Sequence, residues 1–316
     1  MIISVSRRTD IPAFYSNWFF NRIREGFVLV RNPMIFRQIS RVKLTPDVVD
    51  GMVLWTKNPA PMLDRLDELR DYMYYFQFSI TPYGRDVEPN IPQKHTDVLA
   101  SFKKISETIG VDRVIWRYDP ILLNAKYTFD YHLRVFEKIA KALHGHTRKV
   151  TISFIDTDYR GLKSNAAKLG LQDFPASAQR DLAGALARIA HEYGLMIDAC
   201  AEEIDLHAYG IEKARCIDDR LFSKLLHSGL DIEKDKNQRT ECGCVSSVDI
   251  GAYNTCGHGC LYCYANYNAG AIASNHARHN PLSPLLFGEI KPDDKITDRA
   301  IKVHRNSQVG LDSIFC

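Results

Sequence analysis

The chain has 316 residues, 45% of them hydrophobic, and a formal net charge of +3. That is enough apolar content for one barrel-sized domain or two smaller ones, with too little charge bias to demand a nucleic-acid partner. No apolar run is long enough to span a membrane, no signal peptide heads the sequence, and eight cysteines then point to metal in a reducing cytoplasm.

Short β-rich apolar runs alternate with helical stretches, the pattern of βα units around a parallel sheet. Residues 2–6 are the first predicted strand, running into Ser6-Arg7-Arg8-Thr9-Asp10, and a helix with an aromatic face follows over 12–26. The second strand, 51–57, ends at Lys57 and is followed by Asn58-Pro59 and a helix carrying Leu63, Leu66 and Leu69. The third strand covers 74–81, and a helix over 96–110 places Val98, Leu99, Phe102 and Ile105 on one face. The fourth strand, 113–117, leads into Tyr118-Asp119-Pro120, and the spacing of Leu133, Phe136, Ile139 and Leu143 predicts a helix over 129–143. Strand five (150–155), a helix over 178–193, and strand six (195–200) complete the run, with a seventh strand at 247–253.

Polar groups recur where these strands end: Arg7, Arg8 and Asp10; Lys57; Ser79 and Thr81; Arg117 and Asp119; Asp156 and Asp158; Glu202 and Glu203. Singly, such residues cap helices and start turns. Together they describe the mouth of a β/α barrel, where all the C-terminal strand ends meet. The expected fold is therefore a partial or full TIM-like barrel. Its body spans 1–246, and residues 247–316 supply a last strand, a loop and a tail that complete the same domain.

That last strand enters Cys256-Gly-His-Gly-Cys260-Leu-Tyr-Cys263-Tyr. C-x3-C-x2-C offers three thiolates from one small loop, whereas a tetrahedral zinc or an iron–sulfur cube takes four ligands. The missing ligand is either a bound molecule on an open iron or, for zinc, His258, Cys242 or Cys244. Cys200, Cys216, Cys242 and Cys244 make a second set of four, enough for a further cluster or a zinc site, or else buried small hydrophobes. Cys316 stands apart from both sets. His144 and His146 flank a glycine and read as a solvated turn, and no phosphate loop or serine-nucleophile motif occurs.

The cysteine loop resembles that of the radical S-adenosylmethionine (SAM) superfamily. Its wording is most similar to the spore photoproduct lyase branch. Trp55-Thr56-Lys57, Phe78-Ser79-Ile80-Thr81, Glu88-Pro89 and Arg117-Tyr118-Asp119-Pro120 resemble successive landmarks of that branch. There the cluster loop precedes these landmarks; here it follows them, as in a permuted barrel. Across essentially its full length the chain also resembles a bacterial family described as a domain of unknown function, DUF1848.

The first resemblance implies a [4Fe–4S] cluster on Cys256, Cys260 and Cys263, SAM on the open iron, and an electron donor such as flavodoxin or ferredoxin. It also implies Lys57 and Ser79 toward the SAM carboxylate and ribose, and Tyr262 beside the cofactor. Arg7, Arg8, Arg117, Asp119 and Glu202 are then the residues expected to act on the substrate, with the arginines favouring an anionic one. The branch's hydrogen-returning cysteine is absent, because Ser6-Arg7-Arg8 occupies that stretch, and so is its Gly-Gly-Glu strand end. Nucleic acid as substrate is a variant that no basic stripe supports. The alternative function class is a non-radical zinc or iron–sulfur protein that senses or scaffolds.

Overall fold

The computed structural model describes residues 1–158 and 160–305, so Cys316 lies outside the described residues. In chain order these form β1 (Ile2–Val5), α1 (Ile11–Phe14), α2 (Ser16–Glu25), β2 (Phe27–Arg31), β3 (Gln38–Lys43) and β4 (Gly51–Thr56). A 3₁₀ segment (Ala60–Leu69) leads to β5 (Tyr74–Ser79), α3 (Leu99–Ile109), β6 (Val114–Ile121), α4 (Phe129–Leu143) and β7 (Lys149–Phe154). Then come α5 (Arg160–Leu169), α6 (Ala176–Glu192), β8 (Met196–Ala199), β9 (Glu212–Lys213), α7 (Asp219–Leu226), β10 (Val248–Asp249), α8 (Ala269–Ala277) and β11 (Lys295–Asp298).

Eight strands make one sheet in the order β10-β1-β4-β5-β6-β7-β8-β9, every neighbouring pair parallel. Helices or the 3₁₀ segment carry the chain from β4 through to β8, as right-handed crossovers require. Side chains alternate between faces. Ile3, Val5, Leu54, Phe76, Trp116 and Ile152 are buried against the helical layer. Ile2, Val53, Tyr75 and Ile115 are buried on the other face with Cys216, Ile217 and Phe222, the last from α7. Both faces are thus covered, as a parallel sheet needs.

The sheet is parallel as expected, but it is not closed, so the full form of the expected barrel is not present. The outermost strands, β9 and β10, are two residues each and do not pair with one another. Irregular chain crosses the gap instead: Val245 N donates to Ile217 O at 3.2 Å, joining the segment after β9 to the one before β10.

Two further departures have local causes. The single helix expected over 12–26 is broken at Tyr15, whose hydroxyl donates to Thr255 O at 2.6 Å, tying the break to the cysteine loop. A second, three-stranded sheet, β11-β3-β2, was not expected; β2 and β3 are antiparallel and β11 joins β3 in parallel from far along the chain. Among the described residues no helix is long and apolar enough to cross a membrane.

Candidate functional site

The cysteine loop is tied down at both ends. Asp249, at the end of β10, accepts from Ser4 Oγ (2.9 Å), Arg7 N (2.8 Å), Gly251 N (3.0 Å) and Ser6 Oγ, which locks β10 against the exit of β1. Beyond it, Asn266 Oδ1 accepts from Thr255 N and Cys256 N, each at 2.8 Å, while Asn266 Nδ2 donates to Arg8 O at 3.1 Å. The middle of the loop is clipped to the segment after β5. Asn90 Nδ2 donates to Gly257 O (2.8 Å), Asn90 N to His258 O (3.2 Å) and Leu261 N to Val87 O (3.0 Å). Gly259 takes a left-handed φ of 71° with Pro89 at its back, a position suited to glycine alone.

The loop overhangs a cavity of about 590 Å³ at the C-terminal ends of the sheet strands. Cys256, Cys260, Cys263 and Tyr262 line one side; Cys200, Cys216, Cys242 and Cys244 line another; Arg7, Arg8, Lys57, Ser79, Arg117 and Asp119 complete the wall. The structure therefore brings together nearly every residue singled out from the sequence. Glu202 is the exception among the candidate site residues, and of the other polar strand ends Thr81, Asp158 and Glu203 also stand outside the lining. The Glu202 carboxylate accepts from Phe154 N at 2.8 Å, it faces a separate depression, and burial pushes its pKa up to about 7.

The charged residues differ in what they have left to offer. Arg117 is largely engaged within the protein: it makes a two-pronged pair with Asp119, donates to Gln77 Oε1 at 3.3 Å and to Cys216 Sγ at 2.8 Å, and covers the Trp55 ring. That internal pairing uses four of its five N–H donors. Arg7 is 3.7 Å from Asp235, and Arg8 lies over Tyr253. Ser79 makes no hydrogen bond through its hydroxyl among the described residues and faces the cavity.

Lys57 donates to Glu88 Oε1 at 2.9 Å and has two N–H groups to spare. Glu88 is buried, and its carboxylate also accepts from Thr81 Oγ1 at 2.7 Å, from Lys94 and from Tyr262. Burial opposes charge on Glu88, but the two ammoniums outweigh it and hold the carboxylate far below its ordinary range. Burial likewise opposes the Lys57 charge, and Glu88 and Cys260 more than offset it. The site therefore carries a fixed cation beside the cysteine loop.

Sequence reading missed the role of Asp10. One oxygen accepts from Ala13 N and Thr56 Oγ1; the other accepts from Lys57 N at 2.7 Å and pairs with His258 Nε2 at 2.8 Å. With Nε2 held by that carboxylate, His258 lines the cavity and keeps a buried Nδ1 that has no hydrogen-bond partner among the described residues. Glu88 was seen only as a landmark, and Asn266 and Asp249 gave no signal, since each acts through partners distant in sequence.

A cluster or metal suits this donor set. Burial, and then Asp10 and the neighbouring cysteines, push the Cys256 thiol up; burial and Glu88 do the same to Cys260. Both of these sulfurs therefore favour the neutral thiol, Cys260 in spite of the nearby Lys57 ammonium, and a bound metal reverses that preference outright. Among the described residues, no group of three or more His, Cys, Asp or Glu is set as a finished shell for one ion.

Among solved structures, the chain is similar to the EAL domain of Xanthomonas citri FimX, solved with c-diGMP (12% identity, TM-score 0.21, covering 63% of this chain and 89% of that one). It is also similar to the tandem GH20 modules of the pneumococcal exo-β-D-N-acetylglucosaminidase StrH (10%, TM-score 0.24, 87% of this chain and 62% of that one). Likeness at that level carries no argument about this site. No curated protein matches. A family model does match, over residues 2–265, and by it the chain belongs to the DUF1848 family, a domain of unknown function.

Proposed function

We propose that the protein is a radical SAM-type enzyme built on a partial β/α barrel whose cluster-bearing strand stands at the end of the chain. The observation that carries the reading is the meeting of Cys256, Cys260 and Cys263 with Lys57 and Ser79 on one cavity at the C-terminal strand ends. The three cysteines would hold a [4Fe–4S] cluster and leave one iron for SAM. When reduced, such a cluster cleaves SAM to methionine and a 5′-deoxyadenosyl radical that abstracts hydrogen from a substrate.

The chain's own part is binding, orientation and exclusion of water. Lys57, kept charged by Glu88, presents free N–H donors suited to a carboxylate, and the Ser79 hydroxyl suits a ribose. Tyr262 is fixed by Glu88 beside the sulfurs. Arg7 and Arg8 favour an anionic substrate. Arg117 and Asp119 serve this site as a rigid wall, their charges satisfied by each other. The proposed setting is the cytoplasm, with a flavodoxin- or ferredoxin-type electron donor.

Anaerobic reconstitution tests this reading. The wild-type protein is expected to bind about four iron at this loop and to form 5′-deoxyadenosine from SAM under reduction. Cys256→Ala, Cys260→Ala and Cys263→Ala should each lose that iron and that product while staying folded. Unchanged iron and SAM cleavage in all three would sink the assignment. Zinc at the loop with no SAM binding would select the non-radical scaffold or sensor instead.

A further inference from the structure

Cys200, Cys216, Cys242 and Cys244 come from three segments already joined by backbone hydrogen bonds. Cys200 N donates to Ile152 O and Ala214 N to Ala199 O, both at 2.8 Å, which sets the first two cysteines side by side. The third segment lies on the second, with Ile217 N donating to Cys244 Sγ at 3.4 Å. Gly243 permits that approach: a Cβ there would stand 2.8 Å from Ala214 O, closer than a side chain tolerates. The sulfurs of Cys200 and Cys216 are 3.2 Å apart, and the Cys244 thiol interacts electrostatically with those of Cys216 and Cys242. The four thiols thus form one continuous string, with the Arg117 guanidinium on Cys216.

We propose that Cys200, Cys216, Cys242 and Cys244 are the ligands of a single tetrahedral thiophilic ion, Zn²⁺ or Fe²⁺, separate from the centre on the Cys256 loop. A metal–sulfur length of about 2.3 Å spaces the sulfurs of such a site by roughly 3.8 Å. The Cys200–Cys216 contact, at 3.2 Å, sits near that spacing and well inside what a four-iron cube requires. As free thiols the four hold a string of S–H contacts rather than a closed tetrahedron. An ion would gather them by rotation about Cα–Cβ, forming four metal–sulfur bonds and releasing the thiol protons to solvent. Donors to the bound thiolates are already in place in Arg117 and Ile217 N, the outer contacts that such sites use. A Cys200–Cys216 disulfide is the competing use of the pair, and it would leave the Cys242-Gly-Cys244 turn without a purpose.

The position suits a staple. Cys216 follows β9 and Cys244 precedes β10, so the ion would bridge the seam that the sheet leaves open. The full chain carrying Cys256→Ala, Cys260→Ala and Cys263→Ala isolates the question, because no result there depends on the loop's own chemistry. Loaded with Zn²⁺ or, anaerobically, Fe²⁺, it should retain about one ion per chain, all-sulfur by X-ray absorption. Adding Cys244→Ser should cut retention at least tenfold. Should that variant misfold, chelation of the metal from the triple variant should lower its Tm. Four iron with inorganic sulfide, a Cys200–Cys216 disulfide in anaerobically handled protein, no retained ion in a folded chain, or a Tm indifferent to chelation would each overturn the proposal.

Discussion

Glu88 is a carboxylate with no water to rely on, and it stays ionised because every lone-pair direction is met by a donor from a different part of the chain. Lys57 arrives from the end of β4, Lys94 and Thr81 from the segment around β5, and Tyr262 from the cysteine loop. The residue therefore couples the loop to the sheet while setting the Lys57 charge. Glu88→Gln keeps the shape but leaves two buried ammoniums without their counter-ion. The expected cost is about 3–5 kcal/mol, read by urea denaturation, together with loss of the fixed cation toward the cavity. A variant as stable as wild type would show that the lysines reach solvent and that the network is not what orders the loop.

The strands and helices were legible in the sequence where one local rule governed them. Phe129–Leu143 was read to the residue because its apolar stripe is regular and Thr128 caps it, accepting from Tyr131 N. The sheet β2-β3-β11 was not, because β11 enters it from Lys295–Asp298, and no local pattern announces a partner so far away. The last strand was read as 247–253 but keeps only Val248–Asp249, since Ile250 onward turns away to begin the loop. The C-x3-C-x2-C spacing was visible, as were Asp10 as a polar strand end and Glu88 as a landmark; the part that Asp10, Glu88 and Asp249 play in holding the loop was not, because their partners lie on other segments. Gly251 marks the change of direction. A Cβ there would lie 2.2 Å from Ser6 Oγ, which Asp249 already holds. Gly251→Ala should cost about 1–3 kcal/mol in chemical denaturation, and an unperturbed midpoint would mean that β1 and β10 yield easily.

At the scale of the whole molecule, global unfolding is linked to protons through groups the fold keeps uncharged. His132 is buried; its Nε2–H donates to Leu122 O at 2.8 Å, and its Nδ1 accepts from Tyr118 at 2.9 Å, so it is neutral and burial lowers it from 6.5 to about 4. Above pH 6.5 both states hold it neutral. As pH falls from 6.5 to 4 the unfolded chain takes a proton that the native state refuses, so stability drops by about 3 kcal/mol. Glu202, raised by burial to about 7, acts with the opposite sign over the same range. Wild type must therefore be compared with His132→Gln, whose denaturation midpoint should decline less on acidification; parallel curves would refute the linkage. The placement of β10 beside β1 also bears on time. Asp249 meets Ser4, Ser6 and Arg7 across 245, 243 and 242 positions of chain. Ribosomes add residues at about 5–20 per second, so the first strand emerges on the order of 10–50 s before the partner that completes it. Until then β1 has a bare edge, and the Cys200 and Cys216 thiols emerge without their later partners. Loading of the two proposed metal sites would consequently be a late event in the life of each chain, following synthesis of the cysteine loop rather than of the sheet.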